Sequence, residues 1–328
     1  MGSFAPDFIY ALRNVTEAAA CAAYDWIGRG QQEEGDGAAV EAMRTVLNSL
    51  DIAGTVVIGE GEKDEAPMLF NGEQVGCGSP GCAADIAVDP VEGTSYLAKG
   101  LTNAMATIAI APRGAMLDPG PAFYMEKFAA PPAAKGKIDP TWSTTKKIIT
   151  LAEVLNKPVE DITVYILEKP RHKKIVSDIH AAGARVALYP AGDVAGALMA
   201  AIPDSGIDAL MGTGGTPEGL LVACAIRAMG GEFMGRFDPQ LQGERVEVEK
   251  AGINTEKWYA LEELVTSDDV HFCATGITTG LLFAGVERSR GRYKTQTLMV
   301  SSAQPGRQLL TSYLDVATAK ATPAAKAA

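Results

Sequence analysis

The fold is decided by a strand, a glycine-rich turn and a helix that follow one another in Ile207-Asp208-Ala209-Leu210-Met211-Gly212-Thr213-Gly214-Gly215-Thr216-Pro217-Glu218-Gly219. The apolar run 207–211 predicts the strand, and the helix is expected over about 217–229. Two similar strand–helix units precede it, with strands at 162–167 and 185–189 and helices at 171–182 and 194–201. Such alternation predicts a parallel sheet with crossover helices, in which ligands collect at the carboxyl ends of the strands.

The N-terminal half predicts a different sequence of elements. Two helices are expected first, one capped by Asp7 and one beginning at Asp36, each with apolar residues three and four positions apart. Short strands follow at residues 55–58, 85–88 and 106–111, and 128–139 predicts a surface loop. We place a domain boundary at 155, which gives an N-terminal α+β lobe, 1–155, and a C-terminal α/β lobe, 156–328.

Composition and charge narrow the class of function. The 328 residues are enough for two lobes that share one cleft, and the tail from about residue 317 is predicted to fray. A net charge of -11 argues against nucleic acid as a partner, since nucleic-acid binding needs a basic surface. The five cysteines are scattered, and the sequence shows neither a leader pattern nor an apolar run of membrane-spanning length. We therefore expect a soluble cytoplasmic protein with no membrane partner.

Acidic residues beside glycines follow two of the predicted strands. Glu60 and Glu62 flank Gly61 after the strand at 55–58, and Asp89 and Glu92 follow the strand at 85–88. Like charges cannot stay ionised close together without a counter-charge. Mg²⁺ or Mn²⁺ with oxygen ligands would supply it, and two such ions can clamp the attacking and leaving oxygens of a displacement at phosphorus. The alternative is a pair of surface turns with incidental acids.

The segment Asp89-Pro90-Val91-Glu92-Gly93-Thr94 resembles the metal-binding signature of the lithium-sensitive sugar phosphatase superfamily. The likeness narrows through further motifs, which are Asp36-Gly37-Ala38-Ala39-Val40, Val57-Ile58-Gly59-Glu60-Gly61-Glu62, Asp64-Glu65-Ala66-Pro67-Met68-Leu69, Tyr124-Met125-Glu126-Lys127, Lys169-Pro170-Arg171-His172 and Pro217-Glu218-Gly219. Together they resemble class II fructose-1,6-bisphosphatase, the bacterial type, over about residues 8–316.

The resemblance implies a fold and a reaction. The fold would be α/β, a two-lobed layered α/β/α/β/α sandwich. The reaction would be metal-dependent hydrolysis of the 1-phosphate of fructose-1,6-bisphosphate, giving fructose-6-phosphate and phosphate, in gluconeogenesis or the Calvin cycle. The cofactor would be Mn²⁺ or Mg²⁺, the partner a small phosphorylated sugar, and the assembly a homodimer or homotetramer.

The resemblance also implies a role for each matched residue. The metal ligands would be Asp36, Glu60, Asp89, Glu92 and Glu218. Catalysis would fall to Thr94, Asp64 and Glu60. The substrate contacts would be Glu92, Gly93, Thr94, Tyr124, Arg171, His172, Lys173, Gly192, Asp193 and Gly215. Two residues depart from the family pattern, because Ala191 stands where the family usually has an aspartate and Gln32 where a lysine is often found.

Structural explanations remain open beside these roles. An aspartate at the start of a helix, such as Asp36, can serve as an N-cap, and Glu218 in a first helical turn suits the macrodipole. The glycine turn 212–216 could cradle a phosphate through its N–H groups or simply allow packing. Arg171, His172 and Lys173 form a basic cluster at a helix start, which favours a second phosphate over a solvated surface.

Three alternative functions stay open on sequence alone. One is hydrolysis of sedoheptulose-1,7-bisphosphate, a reaction that a subset of the family also catalyses. A second is hydrolysis of inositol monophosphate or of a nucleotide 3′-phosphate by another enzyme of the superfamily. The third, from a different class, is a non-catalytic sensor that binds sugar phosphate and metal without releasing phosphate.

Overall fold

The computed structural model describes residues 4–59, 69–78, 82–203 and 205–316. The helices of these ranges are α1 (Phe8–Ala23), α2 (Gln32–Leu47), α3 (Thr94–Lys99), α4 (Thr144–Leu155), α5 (Lys173–Ala181), α6 (Asp193–Ala201), α7 (Thr216–Met229), α8 (Gln242–Lys250) and α9 (Leu261–Leu264). The strands are β1 (Ala53–Ile58), β2 (Gln74–Val75), β3 (Ala83–Glu92), β4 (Met105–Pro112), β5 (Tyr124–Ala130), β6 (Thr163–Leu167), β7 (Arg185–Tyr189), β8 (Ala209–Gly215), β9 (Glu232–Phe237), β10 (Tyr259–Ala260), β11 (His271–Gly276), β12 (Glu287–Ser289), β13 (Arg292–Ser301) and β14 (Gln304–Asp315).

The chain divides into two compact units. The first contains Met1–Met116 and Ser267–Ala328, and the second contains Leu117–Thr266. The boundary expected at residue 155 falls inside the second unit, because β11 to β14 return to the sheet that β1 to β4 began. Among the described residues, no helix is both long and apolar enough to cross a membrane.

The first unit is built on an eight-stranded mixed sheet. Its order is β12-β13-β11-β4-β3-β1-β2, and β14 pairs with β13. β1 and β3 run parallel, so their carboxyl ends reach the same edge of the sheet. Helix α1 packs on the sheet through its buried stripe, in which Leu12, Val15 and Ala19 have no exposed surface. That three-and-four spacing is the one that the sequence predicted for a helix facing a core.

The second unit is built on a six-stranded sheet with the order β10-β9-β5-β8-β6-β7. β6 pairs in parallel with β7 and with β8, whereas β5 is antiparallel to both β8 and β9. Phe128 of β5 packs in one apolar cluster with Ile148 of α4 and Ile179 of α5. Helices α6 and α7 pack against each other and against β5.

The sequence predicted the fold class correctly and misplaced some elements. The mixed α/β class is confirmed, and two mixed sheets with their helices are consistent with the layered α/β sandwich. The loop expected at 128–139 was wrong at its start, because 128–130 belong to the buried strand β5. The glycines of 212–215 lie in strand β8 rather than in a turn. Glycine-rich sequence is a turn signal, and here the pairing with β5 overrides it.

Candidate active site

Asp89 and Glu92 lie on β3 itself rather than after it. Between these two residues the register with β4 slips, because Asp89 pairs with Thr107 and Glu92 pairs with Met105. Side chains three apart on a regular strand point to opposite faces, and one extra residue returns them to the same side. Both acids are buried, and a carboxylate oxygen of Asp89 lies within 4.8 Å of one of Glu92. The irregular strand end therefore gathers two negative groups.

Local hydrogen bonds hold this strand end in shape. Asp89 Oδ1 accepts from the Val91 N–H at 3.1 Å, which closes the turn across Pro90. Gly93 has φ +85°, and a Cβ there would lie 2.8 Å from Tyr96 Cδ2. Glycine is therefore required between Glu92 and the helix that starts at Thr94.

Thr94 is the first residue of α3, and its hydroxyl is held from α2. Gln32 Nε2 donates to Thr94 Oγ1 at 2.9 Å. A hydroxyl has one proton and two lone pairs, so the bond to Gln32 leaves a donor and an acceptor for a water or a ligand. Gln32 thus fixes the position of the Thr94 hydroxyl.

Asp36 lies inside helix α2, which begins one turn earlier than the sequence predicted. The helix starts at Gln32, and Asp36 is buried at 8% exposure. Glu33 and Glu34 in the first turn suit the helix dipole and explain the earlier start. An interior position excludes the N-cap explanation for Asp36. Helix α2 packs against β3 and α3, and a Cβ at Gly35 would lie 2.8 Å from Leu97 Cδ2.

In the second unit, Asp193 and Glu218 stand at the starts of two helices. Asp193 opens α6 after Gly192, which has φ +86°, and Glu218 is the third residue of α7. These helices follow β7 and β8, at the carboxyl ends of the parallel strands. Glu218 Oε2 is buried without a hydrogen-bond partner in the described chain. Burial, reinforced by Asp193, raises the pKa of Glu218, while Lys127 partly offsets the rise.

Lys127 of β5 forms an ion pair with Asp193, and both groups are almost fully buried. Strand β8 makes room for this pair and for Glu218 through its glycines. A Cβ at Gly214 would overlap Asp193 and lie 3.3 Å from Lys127 Nζ, and one at Gly215 would overlap the Glu218 carboxylate. The glycines therefore clear space for acidic side chains. Their strand pairing with β5 does not support the phosphate cradle considered from the sequence.

The basic cluster contains two exposed cations and one buried histidine. Arg171 Nε and Nη2 donate to the Thr213 carbonyl at 3.0 and 2.7 Å, and the guanidinium lies 5.3 Å from the Tyr124 ring centroid. Lys173 is exposed at the start of α5. The Thr213 N–H donates to His172 Nε2 at 2.8 Å, so Nδ1 carries the proton and donates to the Leu167 carbonyl at 2.7 Å. Burial lowers the pKa of His172. The imidazole is therefore a neutral group that joins two backbone segments by hydrogen bonds, and it is not a third cation.

Two predicted catalytic residues, Glu60 and Asp64, lie outside the described residues. Conversely, sequence reasoning gave no role to Lys127 or to Thr213. The signal for Lys127 was its position two residues after Met125 on β5, because a lysine on the buried face of a strand requires an acidic partner.

Two mixed α/β sheets with buried carboxylates beside glycines at strand ends are compatible with a metal-dependent phosphatase. The comparisons narrow this class. The family model described as bacterial fructose-1,6-bisphosphatase, glpX-encoded, matches residues 7–313. A fructose-1,6-bisphosphatase 1 class 2 of Escherichia coli K12 is 44% identical in an alignment of 299 residues, which covers 87% of this chain and 88% of the relative. A fructose-1,6-bisphosphatase class 2 of Shigella flexneri has the same identity and coverage.

The chain belongs to this family, the glpX-encoded bacterial fructose-1,6-bisphosphatases. Its members are phosphoric monoester hydrolases that depend on a metal ion. Asp89 and Glu92 are a carboxylate pair of the kind that could hold such an ion.

Proposed function

We propose that this chain hydrolyses the 1-phosphate of fructose-1,6-bisphosphate to fructose-6-phosphate and phosphate, as an enzyme of carbohydrate metabolism in gluconeogenesis or the Calvin cycle. The observation that carries the proposal is the β3 end, where two buried acids gathered by a bulge are followed at once by Gly93 and Thr94. That arrangement occurs in a chain that the family model covers almost completely.

The proposed metal ion is Mn²⁺ or Mg²⁺, held by Asp36, Glu60, Asp89, Glu92 and Glu218. The donor set fits a hard cation, because all five ligands are carboxylates. Buried Asp36, the close oxygens of Asp89 and Glu92, and the partnerless Oε2 of Glu218 support the assignment within their own units. When bound, such an ion lowers the pKa of a water and offsets phosphate charge.

The chain's own residues would orient the attack and hold the sugar. Thr94, fixed by Gln32, would position the attacking water, with Asp64 and Glu60 as further catalytic residues. Arg171 and Lys173 would bind the 6-phosphate, and Asp193 would accept from a sugar hydroxyl. The remaining proposed substrate contacts are Glu92, Gly93, Tyr124, His172, Gly192 and Gly215. Since both ring nitrogens of His172 are occupied, its contact would come through the backbone.

Compartment and assembly complete the proposal. No disulfide joins the cysteines of the described residues, which suits the reducing cytoplasm. The net charge of -11 gives no basis for nucleic acid as a partner. A homodimer or homotetramer is proposed from the family resemblance, and light scattering during size-exclusion chromatography measures it.

The test is phosphate release from a panel of esters with each metal in turn. We expect release from fructose-1,6-bisphosphate with Mn²⁺ or Mg²⁺ and none from inositol monophosphate. Asp89→Asn should lose on the order of 10³-fold in turnover while staying folded. Asp51→Asn, an exposed aspartate of the same unit, is the control and should match the wild type.

Each other outcome points to a different function. Release from sedoheptulose-1,7-bisphosphate as well would extend the substrate range. Full activity in Asp89→Asn would refute the metal assignment. Binding of fructose-1,6-bisphosphate with no phosphate released from any ester would indicate the sensor instead.

A further inference from the structure

Lys127 is a buried cation for which the proposed chemistry has no role. Its side chain is 2% exposed, on a strand whose neighbouring residues Met125 and Phe128 are also buried. A charge removed from water in this way is costly unless a counter-charge of good geometry compensates it. The position therefore requires an explanation in terms of its partners.

Glycines bring the ammonium of Lys127 to the starts of α6 and α7. Lys127 pairs with Gly212 on β8 and with Gly235 on β9, and neither of these two partners has a side chain. A Cβ at Gly219 of α7 would lie 3.0 Å from Lys127 Cε. The aliphatic part of the Lys127 side chain thus passes beneath α7, and its Nζ reaches the Asp193 carboxylate on α6.

Two carboxylates share this one cation, and they share it unequally. Asp193 takes the ammonium as a direct ion pair. Glu218 feels the charge of Lys127 at longer range, and its buried Oε2 has no hydrogen-bond partner in the described part of the chain. One positive and two negative charges leave an excess of one negative charge whenever both acids are ionised. That excess lies on the acid that Lys127 does not hold.

We propose that Lys127 is a positioning residue that sorts these two acids, holding Asp193 for substrate hydroxyls and leaving Glu218 for the metal ion. The inference rests on the proposed function and deepens it, since neither the family match nor the ligand set assigns Lys127 a task. Without Lys127, both acids would compete for the bound metal ion, and Asp193 would be drawn away from the sugar.

A double-mutant cycle read on Mn²⁺ binding tests the sorting, with the dissociation constant measured by calorimetry in the absence of substrate. Lys127→Met removes the local positive charge and should tighten Mn²⁺ binding about tenfold. Asp193→Asn leaves Lys127 with Glu218 as its nearest acid and should weaken binding about tenfold. The double variant removes both charges and should return to within about threefold of the wild type.

The opposite signs distinguish sorting from a structural role. Loss of packing or of a buried ion pair would shift both single variants in the same direction. If Lys127→Met does not fold, adding it to Asp193→Asn still decides the question, because that step must tighten Mn²⁺ binding about tenfold. Phosphate release should fall in both single variants and in the double variant, since each lacks the oriented Asp193 carboxylate.

A second ion pair in the same unit provides the matched control. Lys157 Nζ lies 2.6 Å from Asp208 Oδ1, and Asp208 Oδ2 accepts from the Thr163 N–H at 2.9 Å. Lys157→Met and Asp208→Asn should lower stability and leave the Mn²⁺ dissociation constant unchanged. A change in Mn²⁺ affinity as large as that of the Lys127 variants would overturn the proposal.

The sorting role of Lys127 and the proposed function of the chain can each fail without the other. If the wild type releases phosphate but both single variants shift Mn²⁺ affinity in the same direction, or not at all, the sorting role fails and the function stands. If the opposite signs appear but the wild type releases phosphate from no ester, the proposed function fails and the sorting of the two acids stands.

Discussion

The two units bury carboxylates at strand ends in different ways. In the first unit, a bulge on β3 brings Asp89 and Glu92 together, with oxygens within 4.8 Å. In the second unit, Asp193 and Glu218 start two helices, and a lysine from the same sheet pairs with Asp193. The first arrangement gathers two acids at one strand end, whereas the second places a lysine beside one of its two acids. The same residue type thus serves two electrostatic purposes in one chain.

The largest expected effect concerns stability after removing one acid from each unit. Asp193→Asn removes the direct partner of a buried ammonium, which keeps only the longer-range charge of Glu218, and should lower the free energy of unfolding by about 3–5 kcal/mol. Asp89→Asn replaces one carboxylate with a neutral amide whose Oδ1 can still accept from the Val91 N–H, so in EDTA it should lower that free energy by less than about 1 kcal/mol. Urea unfolding of both variants beside the wild type measures the difference. Equal losses of unfolding free energy in the two variants would show that the two units do not differ in how they stabilise their buried acids.

Arg171→Ala tests the proposed phosphate-binding cluster of the second unit. Hydrogen bonds to charged groups contribute about 1.5–3 kcal/mol, so KM for fructose-1,6-bisphosphate should rise about tenfold to hundredfold. KM for a sugar monophosphate that the enzyme accepts should stay unchanged. Lys174→Ala is the control, because Lys174 is exposed and forms an ion pair with Asp178 on the same helix. An equal rise for both substrates would place Arg171 away from the second phosphate.

The smallest expected effect is a pH dependence carried by His172. Burial lowers the pKa of the folded imidazole, so near pH 6.5 the unfolded chain binds more protons than the folded chain. The free energy of unfolding should therefore fall as the pH drops below about 6.5, by up to about 1.4 kcal/mol per pH unit from this group.

His172→Gln isolates that contribution, because glutamine can accept from the Thr213 N–H and does not titrate. Urea unfolding at pH 7.5 and at pH 5.5 gives the loss of stability for each protein, and the wild type should lose more. His271, whose pKa burial also lowers, contributes equally to both proteins and cancels in the difference. Identical losses would show that His172 is not held neutral.

Local patterns in the sequence predicted much of this molecule. The alternation of strands and helices after residue 160 predicted the parallel part of the second sheet, and β6, β7 and β8 confirm it. The motif from Asp89 to Thr94 carried the resemblance, and the family match confirms it. Periodicity and motifs of this kind are local, so a single chain is enough to see them.

What the sequence did not predict depends on partners that are distant along the chain. Lys127 and Asp193 are 66 residues apart, and no local pattern joins them. The strand character of 212–215 comes from β5, since glycine alone favours turns. The bulge between Asp89 and Glu92 is visible only against β4. In each case tertiary pairing overrides the local signal.

The return of β11 to the first sheet sets the order in which the nascent chain can fold. β11 lies between β4 and β13, so the middle of that sheet is completed only by residues after 270. During synthesis the second unit, Leu117–Thr266, emerges whole before β11 does. Until then β4 presents an unpaired edge, and such edges are where other chains add on. The second unit can therefore complete its fold before the sheet of the first unit closes.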